Sequence, residues 1–140
     1  VPPAEVRAEQ RVTGSAEPGL LDALHEAVER LWAAVPEVPD VDRMRFETAV
    51  VEIATNIVRH TRGPDGGPVR AVAELRAVDH ELEATFEDDG VAVDVDLAPP
   101  EPDDYAVSGR GLLLIQRAVD SLSFAREGDH NVWRIARHYA

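Results

Sequence analysis

Between Val69 and Asp88 the chain alternates so regularly that few folds can accommodate it. Val69, Ala71, Ala73 and Leu75 interleave with Arg70, Glu74 and Arg76. After the polar pair Asp79-His80, the alternation resumes with Leu82, Ala84 and Phe86 set against Glu81, Glu83, Thr85 and Glu87. Successive side chains of a strand point to opposite faces, so each segment has one apolar and one charged face. The short break between them predicts an antiparallel hairpin over 69–78 and 81–88. Such a hairpin must bury its apolar face against another layer.

The covering layer precedes it. Leu20, Leu21, Leu24, Val28, Leu31, Trp32 and Val35 recur at helical spacing, after a start at Ser15, Glu17 and Pro18. Pro36 and Pro39 end this helix, and Asp40 and Asp42 offer caps for a second one running to about Thr61, closed by Gly63-Pro64. A weak alternation around Arg7–Thr13 reads as an edge strand, and Asp65-Gly66-Gly67-Pro68 as a turn. Residues 94–108 are acidic and proline-rich and read as a mobile loop. A third helix opens at Ser108-Gly109-Arg110-Gly111 and runs to about Asp120, and strands near 122–127 and 131–138 turn at Gly128-Asp129. The predicted fold class is α+β. It is a two-layer sandwich, a mixed, mostly antiparallel sheet covered on one face by about three helices, because few strand–helix–strand crossovers are available for a doubly wound sheet.

Composition removes whole classes of function. The 140 residues are the size of a single domain, 1–140, and the start at Val1 rather than Met suggests one excised from a longer chain. There is no cysteine, which excludes disulfides, thiolate zinc sites and a cysteine nucleophile. The net charge of −13 argues against nucleic acid as a partner, since phosphate contacts need clustered basic residues. All 14 basic residues are arginine, so a Walker-type loop, whose lysine must reach the terminal phosphates, is excluded. No apolar run is long enough to span a bilayer and nothing resembles a signal peptide, so the expectation is a cytoplasmic protein without membrane contact.

Three short segments carry chemistry. In the second helix Thr48, Glu52, Asn56 and His60 stand four apart and so share one polar stripe, beside a core face that includes Ala49, Ile53 and Ile57. Asn is a poor helix former, and a merely solvated stripe would be richer in Arg and Glu. In Asp88-Asp89-Gly90, Asp88 keeps the parity of Leu82, Ala84 and Phe86 and is directed inward, where a carboxylate needs a donor. A purine amino group could supply that donor, with Gly90 letting the ligand approach the backbone. Ser108-Gly109-Arg110-Gly111-Leu112 enters a helix, and exposed amides at a glycine-rich helix start bind anions. Taken singly, each has a structural reading: a solvated stripe, an acidic strand exit, an ordinary helix start. His25, His80, His130 and His138 show no metal-ligand spacing and read as surface residues, while Trp32 and Trp133 fall at core positions.

Together the three segments resemble, in order and spacing, the GHKL ATPases and kinases, and within them the RsbW- or SpoIIAB-type anti-sigma-factor serine kinases. The resemblance covers nearly the whole chain and implies a Bergerat-type ATP-binding fold with ATP and Mg2+ as cofactors. It implies that Asn56 coordinates the magnesium ion, that Glu52 is the catalytic general base toward a substrate serine, and that Asp88 hydrogen-bonds the adenine amino group. Gly90 would lie beneath the base, and Ala92, at the position of the family's second glycine, would belong to the same ATP site. His60, Ser108, Gly109, Arg110, Gly111 and Leu112 would complete the ATP site, His60 as a helix-end residue supporting it. The implied activity is a serine-protein kinase that phosphorylates a STAS-type anti-sigma antagonist and sequesters a sigma factor, with a homodimer left open.

Two departures keep other readings open. The family often has a second glycine where this chain has Ala92, and residues 87–109 contain many carboxylates but no basic side chain. Both favour a nucleotide-gated, non-catalytic interaction module as the alternative. The ATP-binding domain of a sensor histidine kinase is the other.

Overall fold

The computed structural model describes residues 5–97 and 107–140, with the backbone alone at 107–110. Eight elements follow one another: β1 (Val6–Ser15), α1 (Pro18–Ala34), α2 (Asp40–His60), β2 (Arg70–Val78), β3 (Glu81–Asp88), α3 (Val107–Ala118), β4 (Ser121–Glu127) and β5 (His130–His138). The strands form one sheet in the order β1-β2-β3-β5-β4. Every pairing among the described residues is antiparallel, so the expected mixed, mostly antiparallel sheet is antiparallel throughout. Three helices cover one face, as the binary pattern required.

The hairpins arise where the chain allows tight reversal. Gly128 takes a φ of 63° at the first turn position between β4 and β5, a conformation that costs glycine nothing. The β2–β3 turn places His80 at φ 56°, which a non-glycine residue adopts less readily.

Register aligns the buried faces. Ala71 lies opposite Asp88, Ala73 opposite Phe86, Leu75 opposite Ala84 and Ala77 opposite Leu82. On β5, Asn131 lies opposite Asp88 and Trp133 opposite Phe86. These residues meet Leu24, Leu31, Phe46, Ile53, Ile57 and Ile115 of the helices in one core. Each fully buried side chain of this size contributes about 1.5–3 kcal/mol. The opposite face is a ladder of charges, including Arg76–Glu83 at 3.6 Å and Arg134–Glu127 at 2.6 Å. Exposed pairs like these stabilise by little.

Asp42 departs from its expected use. The residue before α2 is Pro39, and no side chain caps the helix. Asp42 instead turns inward, 7% exposed, and pairs with Arg137 of β5. Arg137 also donates to the carbonyl of Ala118 at 2.9 Å, so one guanidinium joins the start of α2, the end of α3 and the last strand.

Candidate nucleotide site

The polar stripe of α2 ends beside the C-terminal end of β3. Ala49, Ile53, Ala54 and Ile57 face the sheet and are buried, which leaves the neighbouring stripe half-exposed along one flank. Helix α3 packs across that flank. A Cβ placed on Gly111 would lie 2.8 Å from Glu52 Oε2 and 3.8 Å from Asn56 Oδ1. Glycine at this position leaves room for the end of the Glu52 side chain. The structure therefore brings Glu52, Asn56 and Gly111 together.

A pocket of about 250 Å³ opens next to this contact. Asn56, Ile57, His60 and Thr61 form its α2 wall, Leu112 its α3 wall, Trp133 contributes from the sheet, and residues 93–96 run along the remaining side. Asn56, His60 and Leu112 thus share this pocket. Ser108, Gly109 and Arg110 lie in the first turn of α3, and their side chains fall outside the described residues. So does most of the expected loop, at 98–106.

Asp88 is 2% exposed on the inner face, as its parity predicts. Its Oδ1 accepts from the Gly90 amide at 2.9 Å and from Asn131 Nδ2 at 3.0 Å. Its Oδ2 is equally buried and has no partner among the described residues. Burial pushes the carboxyl above its ordinary range, against the lowering effect of the Asn131 and Gly90 hydrogen bonds. A buried acceptor without a donor costs free energy, and native interiors leave few of them. The orphan oxygen is thus an open acceptor on the inner face of the sheet. It sits at the pocket's end of the sheet: Asn131 and the pocket residue Trp133 are two apart on the buried side of β5.

Gly90 has a different role from the one expected. A Cβ there would meet Thr61 Cγ2 at 2.5 Å, Val69 Cγ1 at 2.7 Å and the Arg62 carbonyl at 3.0 Å. Protein, not ligand, occupies the space, so this glycine lets the end of β3 pack on the end of α2. Ala92 is exposed, and its φ is not positive, so alanine there is unstrained.

With the fold and the buried carboxylate in view, comparison with known proteins is informative. The model of the histidine kinase-like ATPase domain matches residues 14–137. The chain belongs to this family. The family is a GHKL one, and three helices on a five-stranded antiparallel sheet are consistent with its fold. The RsbU and RsbW domains of Rv1364c from Mycobacterium tuberculosis superpose with a TM-score of 0.69 at 13% identity, covering 94% of this chain and 32% of that one. The histidine kinase domain of the blue-light-activated kinase EL346 from Erythrobacter litoralis gives 0.53 at 20% identity, covering 82% and 60%. At these identities the likeness is one of fold, and the chain spans about a third of the first structure and 60% of the second. No curated protein matches the chain. Among the described residues no helix is long and apolar enough to cross a membrane.

Three contributors to the site escaped sequence reasoning: Asn131, Arg126 and Thr61. The signal for Asn131 was present, since it shares strand parity with Trp133 and Ile135 and asparagine is depleted in strands.

Proposed function

We propose that this domain binds ATP and transfers its terminal phosphate to a serine of a STAS-type anti-sigma antagonist, and that it sequesters a sigma factor. The observation that carries the nucleotide reading is the buried, unpartnered Oδ2 of Asp88, on the inner face of the sheet that also gives the pocket its Trp133 wall. Adenine offers a matching donor in its exocyclic amino group. The serine substrate and both protein partners rest on the resemblance to anti-sigma kinases.

The residues suit a magnesium–phosphate group. Among the described residues no cluster of three or more His, Asp or Glu side chains could hold a metal by itself. Magnesium commonly takes one or two protein oxygens and completes its shell with phosphate and water. Asn56, which lines the pocket, is the residue that would hold it, and the ion would supply neutralisation of phosphate charge. Glu52, which lies beside Gly111, would accept the proton of an incoming serine hydroxyl. His60 and Leu112 bound the space in which the nucleotide would lie.

One observation favours a second reading, a nucleotide-gated interaction module that transfers phosphate poorly. Asp94 and Asp96 line the pocket, bringing negative charge where triphosphate must sit. Labelled ATP with magnesium and a STAS-domain protein separates the two. The kinase reading expects phosphoserine on the partner, lost in Glu52→Ala while nucleotide binding persists. Nucleotide binding without transfer supports the module, and failure to bind nucleotide in calorimetry overturns both.

A further inference from the structure

Behind Asp88 lies a hydrogen-bonded relay that reaches the sheet edge. Asn131 is completely buried. Its Nδ2 donates to Asp88 Oδ1 at 3.0 Å and to the Val91 carbonyl at 2.9 Å. Its Oδ1 accepts from Arg126 Nη1 at 3.2 Å, and the same nitrogen donates to the Gly90 carbonyl at 2.6 Å.

The direction of this relay follows from chemistry. A guanidinium can only donate, so the amide edge facing Arg126 must be the oxygen and the edge facing Asp88 the NH2 group. Arg126 thereby holds the amide oxygen on its own side, in agreement with the Val91 carbonyl, which requires the NH2 edge on the other. Two donors, from Asn131 and Gly90, then converge on Oδ1 of Asp88, and Oδ2 is left as the open acceptor. The terminal torsion of an aspartate is soft, so without the Asn131 donor the carboxylate could turn and its acceptor would no longer be fixed.

We infer that Asn131 and Arg126 are positioning residues that aim Asp88 Oδ2 at the exocyclic amino group of an adenine nucleotide and so set the base selectivity of the site. The inference rests on the nucleotide reading above. Guanine carries a carbonyl at the corresponding ring position, which would set acceptor against acceptor. A rigidly held acceptor rejects that base, whereas a carboxylate free to turn, or to take up a proton, discriminates less.

The test is calorimetric titration of the full chain with ADP and with purine riboside diphosphate, which lacks the amino group. The wild type is expected to prefer ADP by about tenfold, the size of one hydrogen bond to a charged acceptor. Asn131→Ala and Arg126→Ala are each expected to weaken ADP binding while leaving the analogue nearly unchanged, shrinking the preference about fivefold. Arg126→Lys, which keeps a donor facing the amide oxygen, should restore most of it. Equal weakening of both nucleotides would mark a merely structural role and overturn the inference. So would an undiminished preference in the variants. Should Asn131→Ala fail to fold, Arg126→Ala decides, since Arg126 lies exposed on the edge strand β4. A wild type with no preference for ADP defeats the base-recognition reading of Asp88 itself, a result distinct from either variant outcome.

Discussion

Arg137 grips Asp42 through both Nε and Nη2, each 2.9 Å from the same carboxylate oxygen, across 95 residues of sequence. The pair is largely enclosed, with side chains 15% and 10% exposed. It anchors the start of the helix whose other end lines the pocket. Removing one partner of a buried pair leaves an uncompensated charge, which costs about 3–5 kcal/mol.

Asp42→Ala and Arg137→Met are therefore expected to lower the denaturant midpoint by the equivalent of about 3 kcal/mol. Nucleotide affinity per folded molecule should stay near wild type, because the pair stands at the opposite end of α2. A loss below about 0.5 kcal/mol, the range of ordinary surface changes, would show that the pair is not structurally important.

Gly90 and Gly111 predict opposite outcomes for the same substitution. At Gly90 an added methyl meets a β-branched threonine, a valine and a backbone carbonyl at 2.5–3.0 Å, none of which can yield easily. Gly90→Ala should destabilise by about 1–3 kcal/mol, as overpacking does. Thr61→Ser removes the nearest clashing carbon and should recover part of that loss. Additive losses in the double variant would contradict the packing account.

At Gly111 the nearest atom is the far end of the Glu52 side chain, 2.8 Å away. A flexible carboxylate can swing aside, and alanine is the better helix former by about 1 kcal/mol. Gly111→Ala should keep near-wild-type thermal stability yet lower phosphate transfer at least tenfold, because Glu52 is displaced. Wild-type transfer by this variant would separate Glu52 from catalysis.

Asp88 should make stability and binding oppose each other. Its carboxyl is raised by burial in the fold, so the folded state holds the proton more tightly than the unfolded chain. The stabilisation from that proton is fully present below the ordinary value of 3.8 and is lost as pH rises through the raised folded value. Above that raised value the ionised, half-satisfied carboxylate is a liability. Asp88→Asn is accordingly expected to melt higher than wild type at neutral pH, with the gap closing as the solution is acidified, while adenine nucleotide binding falls. A variant that melts lower at neutral pH, or a gap that widens on acidification, would contradict the desolvation account.

Much of this was legible residue by residue. Helical spacing from Leu20 to Val35 and strand alternation from Val69 to Phe86 are local properties, and they correctly located α1, β2 and β3. Parity alone turned Asp88 inward, and four-residue spacing alone placed Glu52, Asn56 and His60 on one flank of α2. The use of Asp42 was misread, because its short-range option as a cap competes with a partner far along the chain.

The sequence by itself determined which faces are buried, since side-chain direction follows from the period of the backbone. Only the tertiary structure decided what those faces meet. That Gly111 presses on Glu52, that Gly90 makes room for Thr61 and that Asn131 holds Asp88 all depend on strand order and on where α3 comes to rest. Such contacts are set by register and packing between distant segments. The inward direction of Asp88 was visible in the alternation of β3, but which of its oxygens stays open depends on the amide that β5 brings alongside.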